Sequence, residues 1–213
     1  SYSANTNAGN GTVLISGCGK YTNTKSLTFK INPRDISKAT LTAEPATYKY
    51  GAEVFSSKIS VYDSKLGTTL TNKTDYTVAS YVAKTAGTVS ISATGKGNYT
   101  GTVKKTFTIL PKNTAISKLT ASKNTVTVKW RKQTKQTAGY EIQYSTSSKF
   151  TKKTTKTVKV TKNSTTSKKI TKLKAKKKYY VRIRTYQTVK VGKKSTKIYS
   201  GWSKAKTITT KKS

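Results

Sequence analysis

The stretch Gly95–Pro111, GKGNYTGTVKKTFTILP, begins with a glycine-rich turn between two strand-like runs and continues with the second of these runs. A near-copy of this stretch, GCGKYTNTKSLTFKINP, stands at Gly17–Pro33. Equivalent residues are 78 positions apart, as in the pairs Tyr21 and Tyr99, Thr24 and Thr102, Phe29 and Phe107, Ile31 and Ile109, and Pro33 and Pro111. A constant offset with shared turn glycines and shared apolar positions indicates a duplicated structural unit.

The duplication divides the first half of the chain. One complete unit runs over residues 34–111, and residues 1–33 hold only the final part of a preceding unit. We therefore expect residues 1–33 to form a trailing β-hairpin packed on or near the first domain. Since the earlier half of that unit is missing, the edges at residues 12–16 and 25–31 should be unpaired unless another chain or an altered fold covers them. No signal peptide is found, as expected for part of a longer polypeptide.

The composition combines a very high positive charge with few apolar residues. Of 213 residues, 43 are Lys or Arg and 6 are Asp or Glu, for a net charge of +37, and 33% are hydrophobic. Such a balance is common in disordered chains. Here, however, Val, Ile, Leu and Tyr alternate with Thr and Lys in short runs, which is the period of half-buried strands. The sequence predicts a folded all-β protein with a cationic surface and, since its apolar runs are short, no membrane span.

The charge is concentrated after Lys112. Residues 1–111 contain 13 basic and five acidic residues, whereas residues 112–213 contain 30 basic residues and one acidic residue. The junction ILPKNTAI is short and contains one of only three prolines. We expect a domain boundary with limited freedom between residues 111 and 112.

Three strands are predicted in the second half from their alternation. Each has one apolar face: TVTVKW at residues 125–130, GYEIQYS at 139–145 and YYVRIRTY at 179–186. The residues expected to point inward are Val126, Val128, Trp130, Tyr140, Ile142, Tyr144, Tyr179, Val181 and Ile183. Outward-pointing Glu141 is expected to form a weak surface pair with Arg182 or Arg184.

These strands resemble a fibronectin type III domain over residues 112–213. The buried Trp130, the GYEIQYS strand, and Leu173 and Tyr179 at the positions of the family's tyrosine corner are the points of similarity. Ala175 and Lys177 depart from the Pro and Thr that the family often has there, so the turn before Tyr179 is expected to be less rigid. The first half resembles the immunoglobulin-like repeats of secreted and surface proteins of Gram-positive bacteria, through DYTVASY, GKGNYTGT and KKTFTI. The two resemblances imply tandem β-sandwiches, an immunoglobulin-like repeat at 34–111 followed by the fibronectin module.

The inventory of side chains argues against an enzyme and against a cofactor. Histidine is absent, and the single Cys18 permits neither an internal disulfide nor a zinc or iron–sulfur site of the usual kind. Two carboxylate pairs, Glu44 with Glu53 or Asp63 with Asp75, are the alternatives for a glycosidase-type dyad. Isolated surface or turn carboxylates are the other interpretation of these residues. A Ser–Lys pair stays open but has no supporting motif.

A basic surface on the second half is the one positive indication of a binding function. Lysine-rich strands and turns attract anionic polymers at long range: teichoic acids, sulfated or sialylated glycans, or nucleic acid. The predicted polyanion-binding residues are Lys152, Lys153, Lys156, Lys159, Lys168, Lys169, Lys174, Lys176, Lys177, Lys178, Arg182 and Arg184. Only four of the 43 cations are arginine, which disfavours sequence-specific reading of nucleic acid.

Two other interpretations of this surface stay open. Lysines also solubilise a sheet protein and protect its edges against aggregation, with no ligand involved. Tyr180, Tyr186 and Tyr199 on the late strands are candidates for a sugar-binding platform, although aromatic residues of sandwiches more often pack in cores.

The resemblances imply a non-catalytic spacer or adhesion segment of a large secreted or cell-surface bacterial protein. Its expected partners are the remainder of the polypeptide and an anionic cell-wall polymer or host glycan. The alternative is a dedicated glycan- or wall-binding module accessory to an upstream enzyme. Because sandwiches of this kind carry many functions, the choice depends on the site and not on the fold.

Overall fold

The computed structural model describes residues 1–44, 47–54, 58–79, 81–82, 84–191 and 194–212, except the side chains of residues 53, 54, 81, 82 and 191. The regular elements assigned within them are β-strands, and no described helix is long and apolar enough to cross a membrane. The chain is an all-β tandem of β-sandwich domains, as predicted.

The chain divides into two compact units. The first contains Ser1–Ala46, Glu53–Val82 and Val89–Phe107, and the second contains Thr47–Ala52, Ala83–Thr88 and Thr108–Ser213. The domain limits expected from the sequence, 1–33, 34–111 and 112–213, stay predictions.

The first fourteen strands precede Pro111. They are β1 (Tyr2–Ser3), β2 (Gly9–Ser16), β3 (Thr24–Ile31), β4 (Arg34–Asp35), β5 (Thr40–Ala43), β6 (Thr47–Lys49), β7 (Glu53–Val54), β8 (Ile59–Asp63), β9 (Thr68–Thr69), β10 (Tyr76–Thr77), β11 (Tyr81–Val82), β12 (Gly87–Gly95), β13 (Tyr99–Thr100) and β14 (Thr102–Leu110). Their main sheets have the strand orders β1-β2-β3, β5-β8-β9 and β10-β12-β14-β6.

Strand β8 shows how the core of the first unit forms. Ile59, Val61 and Asp63 point inward and are buried, while the residues between them are not. Tyr76 of β10 is 1% exposed and donates its hydroxyl to the carbonyl of Ile59 over 3.0 Å. A buried hydroxyl needs such a partner, so this bond fixes β10 against β8 as well as satisfying the phenol.

Strands β2 and β3 form an antiparallel hairpin, with Gly9 opposite Ile31 and Ser16 opposite Thr24. Its turn is closed by the N–H of Gly17, which donates to the carbonyl of Asn23 over 2.9 Å. Strands β12 and β14 are joined by a turn with the same bond, from the N–H of Gly95 to the carbonyl of Gly101, also 2.9 Å.

The two turns agree in their backbone angles as well. Gly19 and Gly97, which are equivalent residues, both have φ = +63°. This left-handed region is easily reached only without a Cβ, so the shared glycine serves the same purpose in both turns.

The two hairpins differ in what covers them. Phe107 is 4% exposed, whereas its equivalent Phe29 is 38% exposed and packs its ring over Gly11 of the neighbouring strand. Ala93 is fully buried, whereas the equivalent Ile15 is 51% exposed. The earlier hairpin therefore has the conformation of a sandwich half with its apolar face open to solvent.

The remaining strands form the second sandwich. They are β15 (Ile116–Ala121), β16 (Val126–Trp130), β17 (Gly139–Ser145), β18 (Thr155–Val160), β19 (Ser167–Ile170), β20 (Lys178–Val191), β21 (Lys194–Tyr199) and β22 (Lys206–Thr209). One sheet has the order β15-β16-β19, and the other has the order β18-β17-β20-β21 with β22 also paired to β20.

The core of the second unit is formed by the alternating residues that the sequence predicted. All nine are buried or half-buried, and Val128, Tyr140, Ile142, Val181 and Ile183 have no measurable exposure. Trp130 packs edge-on against Tyr140 from the opposite sheet, with ring centroids 5.2 Å apart at 60°. This arrangement suits the electrostatics of aromatic rings and joins the two layers.

Replacing the two equivalent phenylalanines tests the difference in burial. Phe107→Ala should lower the free energy of unfolding of the first unit by about 3–5 kcal/mol, because it leaves a cavity in a packed core. Phe29→Ala should cost clearly less, since the ring is already partly in water. Hydrogen exchange followed by mass spectrometry measures the two effects, on the β12 and β14 amides for Phe107→Ala and on the β2 and β3 amides for Phe29→Ala. Equal losses would show that the Phe29 ring is as well buried as that of Phe107.

Candidate polyanion-binding surface

The ten predicted lysines are all exposed and belong to four segments of the second sandwich. Lys152 and Lys153 precede β18, Lys156 and Lys159 lie on it, Lys168 and Lys169 lie on β19, and Lys174, Lys176, Lys177 and Lys178 follow in the turn before β20 and at its first residue. They do not form one patch. The side chains of Lys156 and Lys159 leave opposite faces of β18, because Lys156 pairs with inward-pointing Tyr144 and Lys159 pairs with outward-pointing Glu141.

Part of this set surrounds a cavity of about 570 Å³. Its charged lining consists of Lys153, Lys156, Lys172, Lys174 and Lys177, and we call it the lysine cavity. The rest of the lining is Tyr144, Leu173, Tyr179 and the threonines Thr146, Thr154 and Thr171. The structure thus brings together four of the predicted lysines and adds Lys172, which the sequence analysis did not select.

No carboxylate is among the described residues that line the lysine cavity. The single acidic residue of the second half, Glu141, points to the outer face of β17, while Tyr144 of the cavity points the other way. The ion pairs Arg34–Asp63 and Arg184–Glu141 do not include a lysine of the cavity.

The turn before β20 is fixed from both sides. Tyr179 accepts a hydrogen bond at its hydroxyl from the N–H of Lys174, at 3.1 Å, which confirms the tyrosine corner. Thr210 accepts from the N–H of Lys177 at 2.9 Å and donates to the carbonyl of Lys174 at 2.6 Å. These bonds hold the lysines of the turn at the rim of the cavity.

Two lysines of the same turn have an unusual backbone. Lys172 and Lys176 have φ of +60° and +50°, a left-handed conformation that costs a residue with a Cβ roughly 1–2 kcal/mol. Such strain is kept only where the surrounding contacts impose it. The departure from the family's usual turn residues therefore does not leave this turn loose.

Both predicted arginines are occupied within the domain. Their guanidinium carbons alternate with aromatic rings in the order Phe150, Arg182, Trp202, Arg184, Tyr199, at 4.0, 4.5, 4.3 and 3.8 Å from the ring centroids. We call this the aromatic–arginine stack. Arg182 also donates to the amide oxygen of Gln143. The stack lies on the outer face of the larger sheet.

Glu141 corrects one expectation from the sequence. It does face outward, but it is 4% exposed and not a surface residue, because the aromatic–arginine stack lies over it. One of its oxygens accepts from Arg184 at 2.6 and 3.1 Å. The alternation of apolar and polar residues along β17 predicted that Glu141 faces outward. Its burial could not be predicted in this way, because it depends on the aromatic–arginine stack, whose rings come from other segments of the chain.

The tyrosines considered as a sugar platform are mostly packing residues. Tyr186 is 4% exposed, and its ring lies 6.0 Å from that of Tyr199. Burial raises the pKa of Tyr199, and the charge of Glu141 raises it further. Tyr180 is half-buried under the ammonium of Lys178.

The carboxylates of the first unit have structural partners. Asp63 pairs with Arg34 through both oxygens and also accepts from the N–H of Lys65 at 3.0 Å. The hydrogen bond from Arg34 lowers the pKa of Asp63 to about 2, which is the reverse of what a general acid needs. Asp75 accepts from the N–H of Thr71 at 2.8 Å, a turn-capping bond. The other candidate pair includes Glu53, whose side chain lies outside the described residues.

Neither metal ligation nor a thiol site is supported where the structure can be read. No group of three or more Cys, Asp or Glu side chains suited to a metal occurs among the described residues. Cys18 is exposed in the turn of the first hairpin.

Residues 111–200 match the family model of the fibronectin type III domain. The sheet orders, the tyrosine corner and the Trp130 core of the second sandwich agree with this match. Domains of this family are typically non-catalytic modules of larger, commonly extracellular polypeptides, where they serve as spacers or in adhesion.

Solved structures with similar folds include fibronectin modules. A two-domain fibronectin type III segment of chicken tenascin is 17% identical over 84% of this chain and 99% of its own length, with a TM-score of 0.45. The FN1–FN3 domains of chicken CNTN1 are 13% identical over 95% and 78%, with a TM-score of 0.39. A computer-redesigned β-sandwich protein is 23% identical over 47% and 90%, with a TM-score of 0.37. No curated protein sequence gave a significant match.

Removing the charge of Glu141 tests the aromatic–arginine stack. Glu141→Gln leaves the half-buried Arg184 without a counter-charge and should lower the free energy of unfolding of the second unit by about 1–3 kcal/mol. Urea unfolding followed by tryptophan fluorescence reports on this unit, since Trp130 and Trp202 both belong to it. Lys159→Gln, directly opposite Glu141 but exposed, is the control and should change stability by less than about 0.5 kcal/mol. Equal small effects would mean that the pair is a surface interaction.

Acid should weaken the first unit through Asp63. Its pKa falls from 3.8 in the unfolded chain to about 2 in the fold, so its contribution is complete above the unfolded value and disappears as the pH falls through about 2. The first unit should therefore lose stability between these two pH values, and Asp63→Asn should remove that part of the dependence. Circular dichroism melts at a series of pH values measure both, and an unchanged profile in the variant would refute the assignment.

Proposed function

We propose that this chain is a non-catalytic spacer and adhesion segment of a large secreted or cell-surface bacterial protein, which docks on anionic polymers through the lysines of its fibronectin type III domain. The single observation that carries the spacer function is the repetition of one hairpin, with the same turn bond and the same glycine angle, in β2–β3 and in β12–β14. Serial repeats are how extended proteins increase their length.

The open face of β2–β3 supports an array of such repeats. Residues 1–33 are then the trailing hairpin of a preceding repeat, residues 34–111 an immunoglobulin-like repeat, and residues 112–213 the fibronectin domain. A sandwich half exposing Ile15 and Phe29 to water loses much of the free energy that burial of these side chains provides. Residues 34–78 form the first part of the repeat that contains the β12–β14 hairpin. The corresponding part of the preceding repeat would cover Ile15 and Phe29 in the same way.

The charge distribution supports the docking part of the proposal. Lysines dominate the second half, and its one carboxylate is taken up by Arg184. A field of one sign raises the local concentration of an oppositely charged polymer. Cell-wall polymers and host glycans with acidic groups are the proposed partners, and sequence-specific nucleic acid is not among them.

A dedicated glycan- or wall-binding module, accessory to an upstream enzyme, is the second candidate. The lysine cavity favours it, because a spacer needs no concave site. Titration with an acidic wall polymer in low salt and at about 0.15 M salt separates the two, since screening weakens exposed charge pairs beyond about 8 Å. Affinity that persists at the higher salt supports the module, and affinity lost there supports a spacer with diffuse attraction.

Completing the preceding repeat tests the spacer proposal directly. A copy of residues 34–78 joined before Ser1 reproduces the spacing of the complete unit, because Ser1 is equivalent to Ala79. The β2 and β3 amides should then exchange much more slowly, and Phe29→Ala should become as costly as Phe107→Ala, about 3–5 kcal/mol.

Two further variants keep this test decisive. Ile15→Ala restores the residue found at the equivalent Ala93 and removes any overpacking in the completed repeat. Val61→Asp in the added copy is the control, because a charge in its core should prevent covering of the hairpin. Unchanged exchange of β2 and β3 in the extended chain, with and without Ile15→Ala, would refute the proposal.

A further inference from the structure

We infer that the lysine cavity is a binding site for one sugar unit of a polysaccharide that carries sulfate or phosphate esters. The inference rests on the docking part of the proposed function and goes further, since it names the site and the chemistry of its ligand. Charge, size, lining and rigidity support it separately.

The charge of the lysine cavity selects an anion. Five ammonium groups surround it, and the nearest acidic residue in the sequence, Glu141, is on the other face of the sheet and paired with Arg184. Like charges gathered around one concavity repel each other, so an anionic ligand gains both attraction and relief of that repulsion. Lysine donates from a compact charge on a flexible stem, which suits ester groups that vary in position along a polymer better than the rigid fork of arginine.

The size and the lining select a sugar unit and not a bare ion. A volume of about 570 Å³ is within the range of roughly 300–1,000 Å³ usual for small-molecule sites. The half-buried ring of Tyr144 offers an apolar surface next to the hydroxyls of Thr146 and Thr171. A sugar presents the same combination, apolar C–H faces and hydroxyl groups that donate and accept.

The rigidity of the turn makes the site ready to bind. The hydrogen bonds of Tyr179 and Thr210 hold the backbone from Lys174 to Lys177. At the other end of the same turn, Lys172 has a left-handed backbone, and the adjacent Leu173 is hydrogen-bonded to Asn124 through both its N–H and its carbonyl. Because this backbone is already ordered, less conformational entropy is lost on binding.

A nucleic acid fits the same cavity less well. Binding of single strands relies on successive bases that each stack on an exposed aromatic ring. Of the two rings that line this cavity, only the half-buried Tyr144 is accessible, because Tyr179 is 7% exposed and packs edge-on against Tyr144, with centroids 6.3 Å apart. No arginine lines the cavity to read phosphates or base edges in a bidentate manner.

The test compares two pairs of substitutions that remove the same charge. Lys156→Gln with Lys177→Gln removes two ammonium groups from the lysine cavity, and Lys118→Gln with Lys129→Gln removes two exposed ones that lie outside it and outside the predicted polyanion-binding set. Affinity of the full chain for a sulfated dextran oligosaccharide is measured by calorimetry at about 0.15 M salt. We expect the cavity pair to weaken binding about tenfold or more and the control pair less than about twofold, with the melting temperature of the cavity variant equal to or above that of the parent.

The sugar is tested with other probes and with a neutral variant. Unsulfated dextran, inorganic polyphosphate and duplex DNA should each bind at least about tenfold more weakly than the sulfated dextran. Thr146→Val, at an exposed position, should weaken binding of sulfated dextran and leave binding of polyphosphate unchanged, because it removes only a hydroxyl.

Each other outcome identifies what fails. Equal losses in the two paired variants would show attraction by net charge alone, which overturns the inference and leaves polymer docking in place. Polyphosphate or DNA binding as tightly as sulfated dextran would show that the sugar is not recognised, and also overturns it. Absence of any binding by the parent chain at this salt would overturn the inference together with the docking proposal, while the spacer proposal is decided separately by the extended chain.

Discussion

The structure of the second half depends on the mutual burial of one face each of β16, β17 and β20. These strands place Val128, Ile142 and Ile183 between the two sheets with no exposure to water. Their other residues face outward, and this is where a domain with 30 basic residues and one acidic residue can keep its charges hydrated. Because successive side chains of a strand point to opposite faces, each of these strands contributes both to the buried core and to the charged surface.

The one carboxylate of this half supports a second layer outside the larger sheet. Glu141 binds Arg184, and Arg182 and Arg184 are each held between two aromatic rings. Charged and aromatic partners of this kind gain more when water is partly excluded. As a result, Arg182 and Arg184 of β20 contribute to cohesion within the domain, whereas the lysines of the cavity stay exposed.

The first half shows how one hairpin sequence behaves in two settings. The turn at Gly17 and the turn at Gly95 form the same backbone bond, since local glycine and hydrogen-bond chemistry decides a turn. The apolar faces of the two hairpins nevertheless end in different surroundings, as Phe29 and Phe107 demonstrate. Local sequence determines the hairpin, and the presence of a covering layer determines whether its face becomes a core.

The sequence by itself determined the strands, their inward faces and the exposure of the ten lysines, because alternation and turn chemistry act between neighbours in the chain. The tyrosine corner was expected from the resemblance to the fibronectin type III domain. Only the tertiary structure decided which lysines meet. Lys153, Lys156, Lys172 and Lys177 come together because the end of β17–β18 lies beside the turn before β20, a proximity that no period in the sequence encodes. The tertiary structure also decided that Glu141 is buried and that Arg182 and Arg184 are engaged, since Phe150, Tyr199 and Trp202 reach them from segments distant in sequence. Long-range contacts of this kind follow from how the sheets pack, and for that reason the candidate site was only partly predictable.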